Sequence, residues 1–332
     1  MKQSFQVLFL ATLLLGASCG ILNGAPVVAY VDRLTSWWGC NVAEALGLPN
    51  GPTNGPNVIA LSFWTTGSVA DAVSVWSSLN MYIPENCGYG SSSSEIQRNL
   101  IQKFHANGVK VIVAAFGATN NPTSEDPTQV CTNIAQFVLA NNLDGVDLDY
   151  EDSNAFERGV GAQWLITCTK VIRQYLPQGQ YILTHAPQGP YFTTGPNYPD
   201  GAYLTVDREV GQLIDWYNLQ YYNQGTGVYE SYDDCFVKCS AWPGTAVLEL
   251  KGLKSKVAVG KPVTQSDANN GWVAASTFAE WLQRANQAGW CGGAMYWQKP
   301  SDSDGSFGVT MKSTIDKFTG CNNVWNNFLE YI

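Results

Sequence analysis

Eight short apolar runs constrain the fold of this chain more than any other feature of its sequence. Most of them begin 30 to 40 residues apart, which is the length of a strand with a helix and a loop. They occupy residues 27–31, 58–64, 109–116, 143–150, 181–186, 216–222, 256–260 and 292–297. Nearly continuous apolar runs are typical of strands that are buried on both faces, as in a parallel sheet. The sequence therefore predicts eight parallel strands.

Amphipathic stretches with helical spacing of their apolar residues lie between several of these runs. The clearest are residues 94–108, 126–142, 160–176 and 278–289. The first and the last end at a glycine, and the second begins with Asp-Pro, both of which are typical of helix ends. Strands that alternate with helices predict an α/β protein, and eight such units predict a single (β/α)8 TIM barrel.

The connections between the runs narrow this prediction. A doubly wound sheet is the alternative, but no glycine-rich phosphate-binding turn follows the first run. About 30 residues separate the last two runs, and one helix accounts for most of them. We therefore expect a barrel that lacks an inserted α+β domain.

The N-terminal segment has the composition of a secretory signal peptide. One lysine precedes an apolar run at residues 7–15, which is too short to span a membrane, and small residues follow it. We predict a signal peptide over residues 1–25, cleaved between Ser18 and Ala25. The mature chain, residues 26–332, is then expected to be secreted as one soluble barrel domain.

The cysteine count fits an extracellular protein. Nine cysteines are present, of which Cys19 lies in the predicted signal peptide. An even remainder in a secreted chain favours disulfides, and since the chain has only two histidines we expect no metal site. Eight cysteines allow 105 connectivities. We expect sequence neighbours to pair, as Cys40–Cys87, Cys131–Cys168, Cys235–Cys239 and Cys291–Cys321.

Composition excludes several classes of partner. The net charge is −9 and only 14% of the residues are charged, which argues against binding to nucleic acid or to an anionic membrane. A neutral ligand fits better. No cofactor is expected, and in the absence of a dimer signature we expect a monomer.

Three acidic residues with a spacing of two lie in LDGVDLDYE (143–151), which comprises the fourth run and the residue after it. Because side chains alternate along a strand, Asp147, Asp149 and Glu151 share one face, and we call them the acid row. In a barrel this face points into the lumen, toward the end where active sites lie. Neighbouring buried carboxyls share protons, and the outermost can act as a general acid on a glycosidic bond. A cation site or a structural acidic cluster is the alternative.

The stretch DGVDLDYE (144–151) resembles the DGxDxDxE signature of glycoside hydrolase family 18, the chitinases and endo-β-N-acetylglucosaminidases. Other strands carry similar features, closest to those of the hevamine-like class III chitinases: Tyr30 in the first, Ser62-Phe63 in the second, LTHAPQ (183–188) in the fifth, LQYYN (219–223) in the sixth by its Gln-x-Tyr-Asn, and GGAMYW (292–297) in the eighth. The third strand departs from the family, because Ala114-Ala-Phe-Gly117-Ala118 replaces Ser-x-Gly-Gly and keeps only one glycine.

The resemblance implies a retaining mechanism assisted by the substrate. Glu151 would protonate the glycosidic oxygen while the 2-acetamido carbonyl of the sugar attacks the anomeric carbon. Asp149 would orient the acetamido group, Asp147 would lie behind it and share a proton, and Tyr222 would bind the acetamido oxygen. The expected substrate-binding residues are Tyr30, Phe63, Gly117, Gln188, Gln220, Asn223 and the platform residue Trp297.

Some of these aromatic residues have structural alternatives. Tyr30, Phe63, Tyr222 and Trp297 are alternatively core residues that fill the barrel. His185 is interpreted as a barrel histidine with satisfied hydrogen bonds, and Trp37-Trp38 is either a further sugar platform or a packed loop.

The leading hypothesis is a secreted endo-chitinase that hydrolyses β-1,4-linked N-acetylglucosamine polymers. The alternative within enzymes is an endo-β-N-acetylglucosaminidase that acts on the chitobiose core of N-glycans, which needs the same acid. A non-catalytic chitin- or sugar-binding lectin on the same barrel is the alternative from another class. The presence of Glu151 argues against it.

Overall fold

The computed structural model of the chain describes residues 22, 24–33, 39–41, 46, 55–321 and 325. The predicted signal peptide lies outside these residues except at positions 22, 24 and 25, and its cleavage stays a prediction. Cys19, Trp37 and Trp38 also lie outside the described residues. Within the described part of the chain, no helix is both long and apolar enough to cross a membrane.

Eight parallel strands close into a barrel, because the first strand pairs with both the second and the last. In chain order the strands are β1 (Val27–Val31), β2 (Val58–Thr65), β3 (Ser68–Val69), β4 (Lys110–Phe116), β5 (Gly145–Asp149), β6 (Ile182–His185), β7 (Trp216–Gln220), β8 (Val257–Pro262) and β9 (Gly293–Trp297). The two-residue β3 is the exception, since it pairs antiparallel with β2. All eight predicted strands, and with them the predicted (β/α)8 TIM barrel, are confirmed.

Helices surround the barrel. They are α1 (Asp71–Ser77), α2 (Ser93–Ala106), α3 (Pro127–Ala140), α4 (Ser153–Glu157), α5 (Gly161–Tyr175), α6 (Ala202–Val210), α7 (Ala275–Gln287) and α8 (Ser306–Ile315). The four predicted helices correspond to α2, α3, α5 and α7. The segment between β8 and β9 holds a 3-10 turn and α7, so the predicted lack of an inserted domain there is confirmed.

Side chains alternate between two buried layers along the barrel strands. On β1, Val27, Ala29 and Val31 pack in the layer between strands and helices, whereas Val28 and Tyr30 belong to a smaller cluster inside the barrel. The same alternation on β5 directs apolar side chains outward to the helices. The acidic side chains of that strand consequently point into the lumen.

Three of the four expected disulfides are present. Cys40–Cys87, Cys131–Cys168 and Cys291–Cys321 have Cα–Cα distances of 5.0, 5.3 and 5.5 Å, within the usual range for a disulfide. The second joins α3 to α5, and the third ties the chain before β9 to the segment after α8.

The predicted Cys235–Cys239 disulfide is wrong, because both residues are buried free thiols. Cys235 lies in a π-helical turn, and its thiol donates to the Tyr229 carbonyl at 3.0 Å. The Cys239 sulfur instead accepts from the Trp242 amide at 3.4 Å. The turn thus directs the two sulfurs to different partners. Burial raises the pKa of Cys235 to about 11.

Candidate active site

The acid row runs from the centre of the barrel to the C-terminal end of β5. Asp147 is fully buried, Asp149 is 4% exposed, and Glu151, two residues beyond the strand, is partly exposed. The row thus ends at the barrel face where the active sites of this architecture lie. Exposure therefore increases along the row from Asp147 to Glu151.

Asp147 accepts three hydrogen bonds from three other strands. The Tyr30 hydroxyl donates to its Oδ2 at 2.7 Å, while the Thr184 hydroxyl and the Asn218 amide donate to its Oδ1 at 2.5 and 2.9 Å. The pKa of Asp147 is raised, because the effect of burial outweighs that of the three donors, which lower it. Hydrogen-bond donors surround both oxygens, which suits an ionised carboxylate and does not resemble a cation site.

Two glutamines hold the outer carboxyls. Gln220 Nε2 donates to Asp149 Oδ1 at 2.9 Å, and Gln188 Nε2 donates to Glu151 Oε2 at 2.9 Å. Burial and the negative charges of Glu151 and Asp147 raise the pKa of Asp149 well above its ordinary value. Burial also raises the pKa of Glu151. Since two neighbouring carboxyls with raised pKa values do not ionise together easily, the pair is suited to hold one proton.

Tyr222 lies beside this pair and is 6% exposed. Burial, together with the charges of Asp149 and Glu151, raises its pKa well above the ordinary value, so its hydroxyl remains a donor. The backbone around it is held by Lys261, whose buried ammonium donates to the carbonyls of Tyr221 and Gly271 at 3.0 Å each. Lys261 also donates to a third carbonyl, that of Tyr229.

Gly271 lies directly against Tyr222. A Cβ atom at this position would be 2.5 Å from the Tyr222 Cα atom, and the glycine has a φ of +90°. Both facts require glycine here, since the nearest atom belongs to the backbone and the conformation is left-handed.

An aromatic group forms the floor beside the acid row. The Trp297 ring, at the end of β9, is partly exposed and lies 6.0 Å from Tyr30 and 5.9 Å from Phe63 between centroids. Phe63 covers Gly117, where a Cβ atom would approach its ring to 3.0 Å. Partly exposed aromatic rings next to carboxyls can bind the apolar face of a sugar ring.

The structure brings together most of the predicted site residues, and Asn223 is the exception. Its side-chain oxygen accepts from the Asn269 amide at 2.8 Å, and the residue is exposed. Gln220 instead contacts Asp149, and a backbone bridge joins it to Gln188. Asn223 therefore orders the loop after β8 at the rim of the site.

Strand β4, the third strand of the barrel and the one whose sequence departs from the family pattern, lies next to the acid row. Ala114 is in register with Asp147 and Phe116 with Asp149. Phe116 has a φ of +83° and is buried against Trp64 and Trp164. Its ring packs on the helix side of the strand.

Sequence reasoning missed Thr184, Asn218 and Lys261. The first two are polar residues in apolar runs, at the alternate positions that face the lumen. That alternation could have identified them as partners of the acid row. His185 agrees with its interpretation: its ring nitrogens lie 3.2 Å from the Thr169 and Tyr203 hydroxyls, and burial lowers its pKa to about 3.

Comparisons with known proteins point in the same direction. No protein-family model matches the chain. It is 29% identical over 163 residues to Endochitinase 3 of Metarhizium anisopliae, which is 48% of this chain and 48% of that protein. The match thus spans about half the length of this curated relative.

Solved structures extend the similarity to most of the chain. A GH18 chitinase from Pseudoalteromonas aurantia has 28% sequence identity and a TM-score of 0.68, covering 87% of this chain and 100% of that one. A fungal endo-β-N-acetylglucosaminidase of glycosyl hydrolase family 18 has 18% identity and a TM-score of 0.58, with coverages of 87% and 98%. The latter likeness concerns the fold alone. Together with the signature, these similarities confirm the resemblance to glycoside hydrolase family 18 and support a glycoside hydrolase.

Proposed function

We propose that this protein is a secreted endo-chitinase that cleaves β-1,4-linked N-acetylglucosamine polymers with retention of configuration. The observation that carries the proposal is the acid row, in which a partly exposed Glu151 is paired with a buried Asp149 above an aromatic floor. The three disulfides support secretion.

Glu151 is the proposed general acid. It is the most accessible carboxyl of the row, and its raised pKa favours the protonated form that the first step requires. As the bond between the anomeric carbon and the glycosidic oxygen breaks, the proton of Glu151 moves to that oxygen. The chain beyond the cleavage point then leaves as an alcohol.

The nucleophile in this proposal belongs to the substrate. The carbonyl oxygen of the 2-acetamido group bonds to the anomeric carbon and forms an oxazolinium ion. Asp149 accepts the acetamido N–H and stabilises the positive charge, while Tyr222 donates to the acetamido oxygen. Water activated by Glu151 then attacks the anomeric carbon, which restores the acetamido group and the proton on Glu151.

The aromatic floor positions the sugar. Trp297 supports the apolar face of the ring in the cleaved subsite, with Tyr30 and Phe63 behind it. Gln188, Gln220 and Gly117 line the wall beside the acids. The lack of an inserted domain between β8 and β9 suits attack within a long polymer.

The test is mass spectrometry of products from one mixture of a chitin hexamer and a high-mannose glycoprotein. We expect dimer and trimer from the hexamer, and Glu151→Gln should lower kcat by about 100- to 10,000-fold while sparing binding. A variant with wild-type activity would refute the assignment of the acid. Release of the glycan with one N-acetylglucosamine left on the protein would favour the endo-β-N-acetylglucosaminidase, and binding without any cleavage would favour the lectin.

A further inference from the structure

Asp147, the inner end of the acid row, is held by hydrogen-bond donors that lie outside the DGVDLDYE signature. Strand β4 offers no polar group to Asp147, because the residue in register with it is Ala114, a buried methyl group inside the barrel. The hydroxyl that a serine would supply in this strand is missing. The donors come instead from β6, which pairs with β5 on its other side, from β7 beyond it, and from β1.

Thr184 and Asn218 both donate to the same oxygen of Asp147. The distances to Oδ1 are 2.5 Å from the Thr184 hydroxyl and 2.9 Å from the Asn218 amide, and both residues are fully buried. Tyr30 occupies the other oxygen at 2.7 Å. Hydrogen bonds to a charged group are stronger than neutral ones, especially away from water.

The orientation of the Asn218 amide is fixed by a further contact. The indole N–H of Trp216 donates to the Asn218 side-chain oxygen at 2.8 Å. With that oxygen occupied, the NH₂ group must face Asp147. An asparagine amide held in this way supplies donors and cannot turn its oxygen toward the carboxylate.

The titratable groups that interact electrostatically with Asp147 are Asp149 on its own strand and three tyrosines, namely Tyr30 and Tyr222 on the lumen side and Tyr203 on the helix side. Burial keeps all three tyrosines neutral because their pKa values lie well above the ordinary value. None of these four groups can supply positive charge. The ionised form of Asp147 therefore depends on its hydrogen-bond donors.

We propose that Thr184 and Asn218 are positioning residues that hold Asp147 as an ionised carboxylate and thereby keep the exchangeable proton of the acid row on Asp149 and Glu151. This inference rests on the proposed hydrolase function. It differs from the expectation that Asp147 shares the proton. It also assigns to Thr184 on β6 and Asn218 on β7 the hydrogen bond that a serine hydroxyl on β4 would otherwise donate to Asp147.

The sign of the expected effect follows from the charges. The negative charge of Asp147 raises the pKa of Asp149. If a donor is removed, Asp147 takes up a proton more readily and its charge is lost. The outer pair then loses its own proton at lower pH, so the alkaline limb of the pH profile of kcat moves toward lower pH.

The experiment compares Thr184→Val with the wild type on a chitin hexamer. Loss of one hydrogen bond to a buried charge should lower kcat by about 10- to 100-fold, with little change in KM because Asp147 does not contact the sugar. Thr184→Ser should restore kcat. The double variant Ala114→Ser with Thr184→Val should recover part of it, since it returns a hydroxyl to the neighbouring strand in register with Asp147.

Thr169→Val is the matched control. Thr169 is as deeply buried as Thr184, but its hydroxyl binds the Leu165 carbonyl and His185 on the helix side. This variant should keep the kcat and pH profile of the wild type. Wild-type kcat and pH profile in both Thr184→Val and Asn218→Leu would overturn the inference. A loss of kcat in Thr184→Val that Thr184→Ser does not restore would also overturn it.

A second measurement does not depend on activity. The carboxyl ¹³C chemical shift of Asp147, assigned by Asp147→Asn, should report an ionised group in the wild type at mildly acidic pH and a protonated group in Thr184→Val. The same shift in both proteins would overturn the inference. An inactive wild type would instead refute the proposed function, and the ¹³C experiment would still decide on the role of Thr184.

Discussion

Each carboxyl of the acid row has a different environment, and the difference follows its depth in the barrel. Asp147 is fully buried among three donors, Asp149 has one amide donor and two like charges nearby, and Glu151 reaches the cleft. Three identical functional groups can therefore take three roles. The inner carboxyl has the most donors with which to hold a negative charge, and the outer pair is suited to hold the proton.

This gradient predicts a bell-shaped pH dependence of kcat. Below the first ionisation of the outer pair, Asp149 is protonated and cannot stabilise positive charge, so kcat falls as the pH falls. Above the second ionisation, Glu151 has lost its proton and kcat falls as the pH rises. Since burial raises both pKa values above those of ordinary carboxyls, we expect an optimum on the acidic side of neutral. A kcat on chitin hexamer that stays constant from about pH 4 to 9 would contradict this expectation.

The sequence predicts those parts of the site whose residues are close together in the chain better than those whose residues come from different strands. The common face of the acid row follows from alternation along one strand, and it was predicted. The donors Thr184 and Asn218 lie 37 and 71 residues from Asp147 in sequence, Thr184 in register with it on the adjacent strand β6 and Asn218 on β7. These residues come together only through the register of neighbouring strands in the barrel, and this register cannot be predicted from the pattern of apolar and polar residues.

The segments that follow β7 and β8 position Tyr222 as a unit. Lys261 joins the backbone before Tyr222 to Gly271, and Gly271 packs on Tyr222 itself. A buried lysine that donates to three carbonyls is expensive to desolvate, and burial lowers its pKa. Its contribution here is to fix loops that carry a proposed substrate-binding hydroxyl.

We expect Gly271→Ala to lower kcat sharply, because its Cβ atom would lie 2.5 Å from the Tyr222 backbone and displace that residue. The matched control is Gly252→Ala, where φ is +79° and no atom lies within 4 Å of the added Cβ. Both variants should lose about 1 to 2 kcal/mol of stability from the left-handed backbone. Only the first should lose activity on chitin hexamer. Equal kcat values in the two variants would contradict the role of Gly271.

Helices were predicted less completely than strands, for a reason visible in α8. Its sequence SFGVTMKSTI contains glycine, serine and threonine, which are poor or moderate helix formers. The helix begins where the Asp302 carboxylate accepts from the Phe307 and Gly308 amides at 2.8 and 3.1 Å. Tertiary packing and this cap determine the element, whereas the apolar spacing was too weak to reveal it.

At the scale of the whole molecule, barrel closure gathers the site from strands that are far apart in sequence. Tyr30 on β1, Asp147 on β5 and Asn218 on β7 meet at one carboxylate. Three disulfides join helices and loops at the periphery of the barrel, away from the acid row. The incorrect Cys235–Cys239 pairing has a local cause, since spacing alone reveals neither the π-helical turn at Cys235 nor the different hydrogen-bond partners of the two sulfurs.

The most direct test of the central claim is the anomeric form of the first products. Proton NMR of a chitin hexamer during the first minutes of hydrolysis by the wild-type protein distinguishes new β-anomer from α-anomer before mutarotation mixes them. Attack by the acetamido oxygen followed by water inverts the anomeric carbon twice, so the account predicts β-anomer. Initial α-anomer would mean that water attacks directly and would contradict the account.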